Sequence, residues 1–190
     1  FFAELIHNSS NSKFPLQKNE TLVSLISKLT TILFDSTLDI KKVNLNGDDD
    51  MILTSANNYY SGVTQKEAEA FYNKLNKKGD TTPVSYGLNS RLVKRDRNIS
   101  EDVYKVGGLY TEAIEKVVFW LEKAITVAEG KQQVKSLEKL VEYYNTGDLK
   151  TFDEYSILWL QDTASRVDVV NGFIEVYGDP LGKKGSYQSV

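Results

Sequence analysis

Apolar residues recur along most of the chain at helical spacing, and only short stretches switch to strand-like alternation. Leu22, Leu25, Ile26, Leu29 and Leu33 follow the i, i+3, i+4 rhythm of an amphipathic helix between Glu20 and Phe34, with Asn19 or Thr21 placed to cap it. The apolar opening from Phe1 to Asn8 reads as the end of a helix running into a polar loop. Leu38 to Leu45 alternates well enough for a short strand, and Asn46 to Asp50 is a turn. Thr64 and Glu67 form a capping box, each side chain reaching the other's backbone N–H. The helix it opens is predicted to reach about Asn76, to bury Ala68, Phe71, Tyr72 and Leu75, and to stop at Lys77-Lys78-Gly79. Leu88–Arg95 and Asp102–Val106 read as two strands joined by a polar turn at Asp96-Arg97-Asn98.

From Leu109 the spacing becomes helical again. Ala113, Ile114, Val117, Val118, Leu121, Ala124, Ile125 and Ala128 make a continuous rail, with Thr111 as the expected cap and Gly130 as the stop. A second helix from about Gln132 to Tyr144 should bury Val134, Leu137, Leu140, Val141 and Tyr144 and end at Gly147. Thr151 and Glu154 form a second capping box, opening a third helix through Tyr155, Leu158 and Trp159. Short links predict that these helices are antiparallel neighbours. The expected fold class is α+β: a predominantly helical lobe, helix-rich over 109–163, with a small mixed or antiparallel sheet.

The last segment, residues 166–187, contains a strand and then a Pro/Gly-punctuated loop. Side chains alternate across a strand, so Phe173, Glu175 and Tyr177 should share one face, and Ile174 and Val176 the other, which should be buried. Asp179-Pro180-Leu181-Gly182 forces a turn, because proline fixes φ and glycine reaches conformations other residues avoid.

Composition narrows what this arrangement can do. The 190 residues, 41% hydrophobic and 26% charged, suit one globular domain or one lobe of a larger protein. A net charge of −3 argues against nucleic acid, whose binding needs clustered basic residues. Arg91, Lys94, Arg95 and Arg97 read as a solvated basic face. No apolar run approaches the ~20 residues needed to cross a bilayer, so a membrane partner is not expected. With no cysteine and one histidine, His7, the chain has no disulfide or thiolate chemistry and no histidine-rich metal site, so neither catalytic nor metal-ligating residues are expected in it. Asn46 to Asp50 lacks the ligand order and closing glutamate of a calcium loop. The chain begins with Phe1, so it is expected to be a segment of a longer protein.

Phe173-Ile174-Glu175-Val176-Tyr177-Gly178-Asp179-Pro180-Leu181-Gly182-Lys183-Lys184-Gly185 closely resembles a signature of the dipeptidyl peptidase III family of zinc metallopeptidases (M49). Tyr59-Tyr60-Ser61-Gly62, Asn89-Ser90-Arg91-Leu92, Gly108-Leu109-Tyr110 and Trp159 with Asp162 are similar to further family runs. Gly178 and Lys184 depart from the pattern, since the family more often has arginine there. The resemblance implies a parent enzyme that uses zinc to release dipeptides from the N-termini of oligopeptides. The family's zinc motifs are absent here, so this chain is expected to be part of the N-terminal, substrate-binding lobe, inactive alone and completed by a C-terminal zinc-binding lobe. By the same resemblance, Glu175 binds the substrate ammonium and Tyr177 orients the peptide or its developing oxyanion; Ile174 and Phe173, to which the resemblance gives no role, either line the cleft or simply pack. A cytoplasmic location is favoured. A non-enzymatic helical adaptor or a peptide-binding module is the alternative; no second copy of a helical repeat supports the adaptor.

Overall fold

The computed structural model describes residues 2–9, 14–35, 38, 40–76 and 79–190. The chain divides into two units, Phe1–Lys41 and Lys42–Val190. In the first unit, α1 (Phe2–His7) and α2 (Leu22–Phe34) form where the apolar spacing placed them. Thr21 caps α2 by accepting from Ser24 N–H at 3.2 Å. The apolar face of α2 is not buried as expected: Leu22, Leu25, Ile26 and Leu29 are half-buried and Leu33 is exposed.

The strand expected over 38–45 does not form among the described residues of that run. Asn44 is instead a loop anchor, donating its backbone N–H to Ser55 Oγ at 2.8 Å and its amide to Asp49 Oδ2 and Thr54 Oγ1. Those bonds occupy the groups a strand ladder would need. The turn at Asn46 follows, and Asp50 then accepts from Ile52 and Leu53 N–H and from Gln65 N–H.

The second unit opens with a three-stranded mixed sheet. β1 (Tyr60–Ser61) runs parallel to β2 (Ser90–Arg95), with Tyr60 opposite Leu92, and β2 pairs antiparallel with β3 (Asn98–Val103). Between β1 and β2 lies α3 (Gln65–Leu75), opened by the expected capping box: Thr64 Oγ1 accepts from Glu67 N–H at 3.3 Å and Glu67 Oε2 from Thr64 N–H at 3.0 Å. The hydrogen bond from Lys94 and those from Thr64 pull the Glu67 carboxyl down to about 2. Lys94 and Arg95 spend their charge on Glu67 and Asp102, so half of the basic cluster is paired. Lys77 and Lys78, the expected helix stop, lie outside the described residues. Ala68 and Tyr72 of α3 join Ile52, Tyr60, Val63 and Leu92 in one apolar cluster.

Three helices follow: α4 (Thr111–Ile125), α5 (Lys131–Thr146) and α6 (Leu149–Leu160), with α5 packed against both others. Two expected caps move. Tyr110, in the left-handed region at φ 62°, precedes α4, while the Thr111 hydroxyl accepts from Gly107 N–H at 2.8 Å. Asp148 caps α6 by accepting from Lys150 N–H, which leaves Thr151 buried inside the helix. α4 also ends before Gly130, at Ile125, where Thr126 bonds back to the Lys123 carbonyl; Gly130 instead precedes α5. Gly147 closes α5 in the left-handed conformation, as its position predicts. Ile114, Leu121, Leu137, Leu140, Tyr143, Tyr144 and Tyr155 form a second apolar cluster with Tyr104 and Phe173. The chain ends in a hairpin, β4 (Asn171–Glu175) antiparallel to β5 (Ser186–Ser189). The fold is α+β and mainly helical, as the pattern predicts, with the signature strand in its own two-stranded sheet.

Candidate functional site

The signature segment is held at both ends and open in the middle. At its start, Asn171 is buried, accepting from Tyr144 OH and donating to Tyr187 OH and Ser189 Oγ at 3.1 and 3.0 Å. Phe173 then packs its ring 4.9 Å from that of Tyr104, which fixes β4 to the helical core. The ladder pairs Phe173 with Tyr187 but Glu175 with Ser186, two residues against one, so a bulge falls at Ile174.

That bulge breaks the alternation read from the sequence. Phe173 is buried, whereas Ile174 is 37% exposed and Val176 half-buried, the reverse of the expected aliphatic inner face. Ile174 and Val176 instead line a cavity of about 300 Å³ with Tyr72, Val84 and Tyr86. Glu175 ends the strand in solvent, and Tyr177 stands beyond it, 71% exposed. Neither group lies beneath packed apolar neighbours.

Immediately after Tyr177 the chain becomes buried again. The Asp179 carboxylate is 4% exposed and accepts four hydrogen bonds: from Leu181 N–H to Oδ1, and from Lys183 N–H, Lys184 N–H and Tyr60 OH to Oδ2, the last at 2.9 Å. Its own loop and β1 are thereby tied together. Burial, and then the Asp179 charge, push the Tyr60 phenol well above its ordinary range. Lys184, with no exposed surface, donates to Tyr72 OH and to Ser90 Oγ at 3.0 Å, and both hydroxyls donate to Glu101 Oε1 at 2.8 and 2.5 Å. The Lys184 ammonium lies 3.5 Å from that carboxylate and over the rings of Tyr60 and Tyr72. Burial pulls it down to about 8, against Glu101 and Asp179, which favour its charged form.

On the Phe173 side, a cleft of about 380 Å³ is walled by Tyr59, Tyr104, Tyr110, Phe173 and Tyr187, with Asn58 at its edge. Tyr59 joins this cleft to the exposed ridge: a Cβ on Gly178 would stand 3.2 Å from its hydroxyl. Burial, then Asp179 and then Tyr177 raise the Tyr59 phenol. The Glu175 carboxylate can accept from a cation and Tyr177 can donate or accept, while the aromatic cleft offers apolar surface. Among the described residues no group of three or more histidine, cysteine, aspartate or glutamate side chains could hold a metal ion, so these residues do not fit a zinc site. Sequence reasoning missed Lys184, Glu101 and Tyr72 as a unit. They are 29 and 112 residues apart along the chain, and only a lysine in an otherwise turn-forming run marked the spot.

Comparison with known proteins gives the family and the fold. Residues 66–190 match the family model of peptidase family M49. A Mus musculus protein, dipeptidyl peptidase 3, is 28% identical over 155 residues, covering 81% of this chain and 21% of its own length. Its Homo sapiens counterpart is 35% identical over 81 residues, or 43% of this chain and 11% of its own. A solved structure of DPP III from Caldithrix abyssi shares the fold, with a TM-score of 0.55 at 19% identity over 98% of this chain and 32% of that one. This chain therefore spans about a fifth of the length of the mouse relative.

Proposed function

Because the chain belongs to peptidase family M49, we propose that it forms part of the N-terminal, substrate-binding lobe of a dipeptidyl peptidase, presenting Glu175 and Tyr177 to the free N-terminus of an oligopeptide. The observation that carries this reading is the exposed ridge from Ile174 to Tyr177, fixed between a buried strand start and a buried turn. A protonated α-amine needs a carboxylate as partner, and Glu175 offers one in solvent at the end of a strand whose backbone is paired with Ser186. Tyr177 is placed to hydrogen-bond the peptide or an oxygen that gains charge in hydrolysis. Ile174 borders the ridge, and Phe173 supports it from below while walling the aromatic cleft.

Zinc, in this reading, supplies the hydrolytic water and is held by a C-terminal lobe of the parent protein outside these residues. This chain contributes recognition and orientation of the peptide and is inactive without that lobe. No described helix is long and apolar enough to cross a membrane; a cytoplasmic parent acting on free peptides is part of the proposal.

The test is made on the longest gene product containing this chain. Glu175→Gln should raise KM for peptides with a free N-terminus on the order of tenfold to a hundredfold, the value of a hydrogen bond to a charged group. It should also erase the preference over the same peptides N-acetylated. A Glu175→Gln enzyme that still discriminates the two would remove Glu175 from the site.

A further inference from the structure

Nothing in the recognition of an α-amine requires Lys184, yet this lysine has no exposed surface and sits among groups from four other elements. Tyr60 comes from β1, Tyr72 from α3, Ser90 from β2 and Glu101 from β3, with Asp179 facing it from its own turn. We propose that Lys184 is a positioning residue for peptide binding: its buried ammonium, bonded to Tyr72 and Ser90 and through them to Glu101, pins the far end of the signature segment to the sheet and so sets where Tyr177 and Glu175 stand. The inference rests on the reading of Glu175 and Tyr177 given above, and it concerns a residue that never touches the peptide.

The mechanical path is short. Lys184 and Lys183 give their backbone N–H groups to the Asp179 carboxylate, Gly185 gives its own to the Leu88 carbonyl at 2.9 Å, and Asp179 takes the Tyr60 hydroxyl. Tyr177 lies two residues before Asp179, and its exposed side chain joins neither apolar cluster. Its position is inherited from the turn. An apolar side chain at 184 would fill the same space and leave two hydroxyls and the Glu101 carboxylate without their cation, so the turn would keep its chain path and lose its anchor. A guanidinium would restore the charge.

Two instruments separate the anchor from the site it serves. Hydrogen exchange on this chain should show the amides of Lys183, Lys184 and Gly185 opening on the order of tenfold faster in Lys184→Met, with α5 unchanged and Lys184→Arg restoring protection. In the parent enzyme, Lys184→Met should raise KM on the order of tenfold with kcat little changed. Lys184→Arg should return KM toward the wild-type value. Should Lys184→Met unfold, Glu101→Gln removes the carboxylate at the end of the same network without emptying space. It must then give the same local opening and KM rise.

Unchanged exchange in both variants overturns the proposal. So does local opening with unchanged KM in an enzyme that Glu175→Gln impairs. If Glu175→Gln is silent instead, the reading of the site fails on its own assay, and the positioning proposal falls with it even where exchange still shows an anchor.

Discussion

Gly185 faces Phe173 so closely that a Cβ on the glycine would stand 2.8 Å from the carbonyl carbon and oxygen of Phe173 and 3.0 Å from the Leu88 carbonyl oxygen. All three are backbone atoms, which cannot rotate away as a side chain can. Gly185→Ala should therefore destabilise the chain by about 1–3 kcal/mol, the usual cost of overpacking. Urea unfolding checks the loss, and the exchange of the β4–β5 amides shows whether the hairpin is what gives way.

The bulge at Ile174 makes a contrast between neighbours. Phe173→Ala removes a buried ring from the helical core and should cost about 3–5 kcal/mol. Ile174→Ala trims a side chain that is 37% exposed and should cost about 1 kcal/mol, well below the loss at Phe173. A larger loss at Ile174 than at Phe173 would restore the buried aliphatic face of an alternating strand.

Stability should depend on pH in an unusual direction near pH 9. Lys184 ordinarily titrates at 10.5 and in the fold at about 8, so between those values the unfolded chain holds a proton the folded chain has lost. Stability contributed by this group therefore rises with pH through that window; below it, the cost of a buried ammonium is carried in full. The gap between wild type and Lys184→Met should shift in favour of wild type by on the order of 3 kcal/mol across the window. Urea unfolding of both proteins at a series of pH values from neutral to about 10 measures the gap directly, since most other groups titrate alike in the two.

Above the ordinary phenol range the sign reverses. Tyr60, Tyr72, Tyr104, Tyr143 and Tyr144 all have their phenols raised, chiefly by burial. An acid whose folded value is raised loses its proton first in the unfolded chain, so stability falls as pH climbs past about 10. Ultraviolet titration should show these tyrosines ionising only together with unfolding. Smooth ionisation in the folded state would contradict their burial.

Tyr177→Phe tests the ridge from another side. Tyr177 is exposed and packs on no core cluster, so the substitution should leave stability within about 0.5 kcal/mol. In the parent enzyme it should lower kcat/KM for peptides. Unchanged kcat/KM would leave Tyr177 as a surface phenol.

Much of this architecture was legible in the residues themselves. The capping box at Thr64 and Glu67, the glycine that closes α5 and the apolar rail of α4 are local chemistry: the partners lie within a few residues, so spacing alone specifies them. The turn at Asp179 and the exposure of Glu175 and Tyr177 likewise follow from a proline, a glycine and polar side chains in sequence. At α6, Asp148 lies three residues before Thr151 and caps by the same chemistry, so spacing alone does not choose between them; α4 has no side-chain cap, because the Thr111 hydroxyl is taken by Gly107 N–H.

Tertiary structure alone decided the rest. Alternation cannot foresee a bulge, because the extra residue at Ile174 is defined by the register of β5, which the β4 residues do not encode. No spacing rule joins Lys184 to Tyr72, Ser90 and Glu101, whose meeting needs a helix, two strands and a loop to be packed first. The amino-acid order determined which segments would be helices, strands and turns, since those choices are made over a few bonds. Which side chains would be buried together, and hence what holds the Glu175–Tyr177 ridge in place, was settled only when distant segments competed for the same dry space.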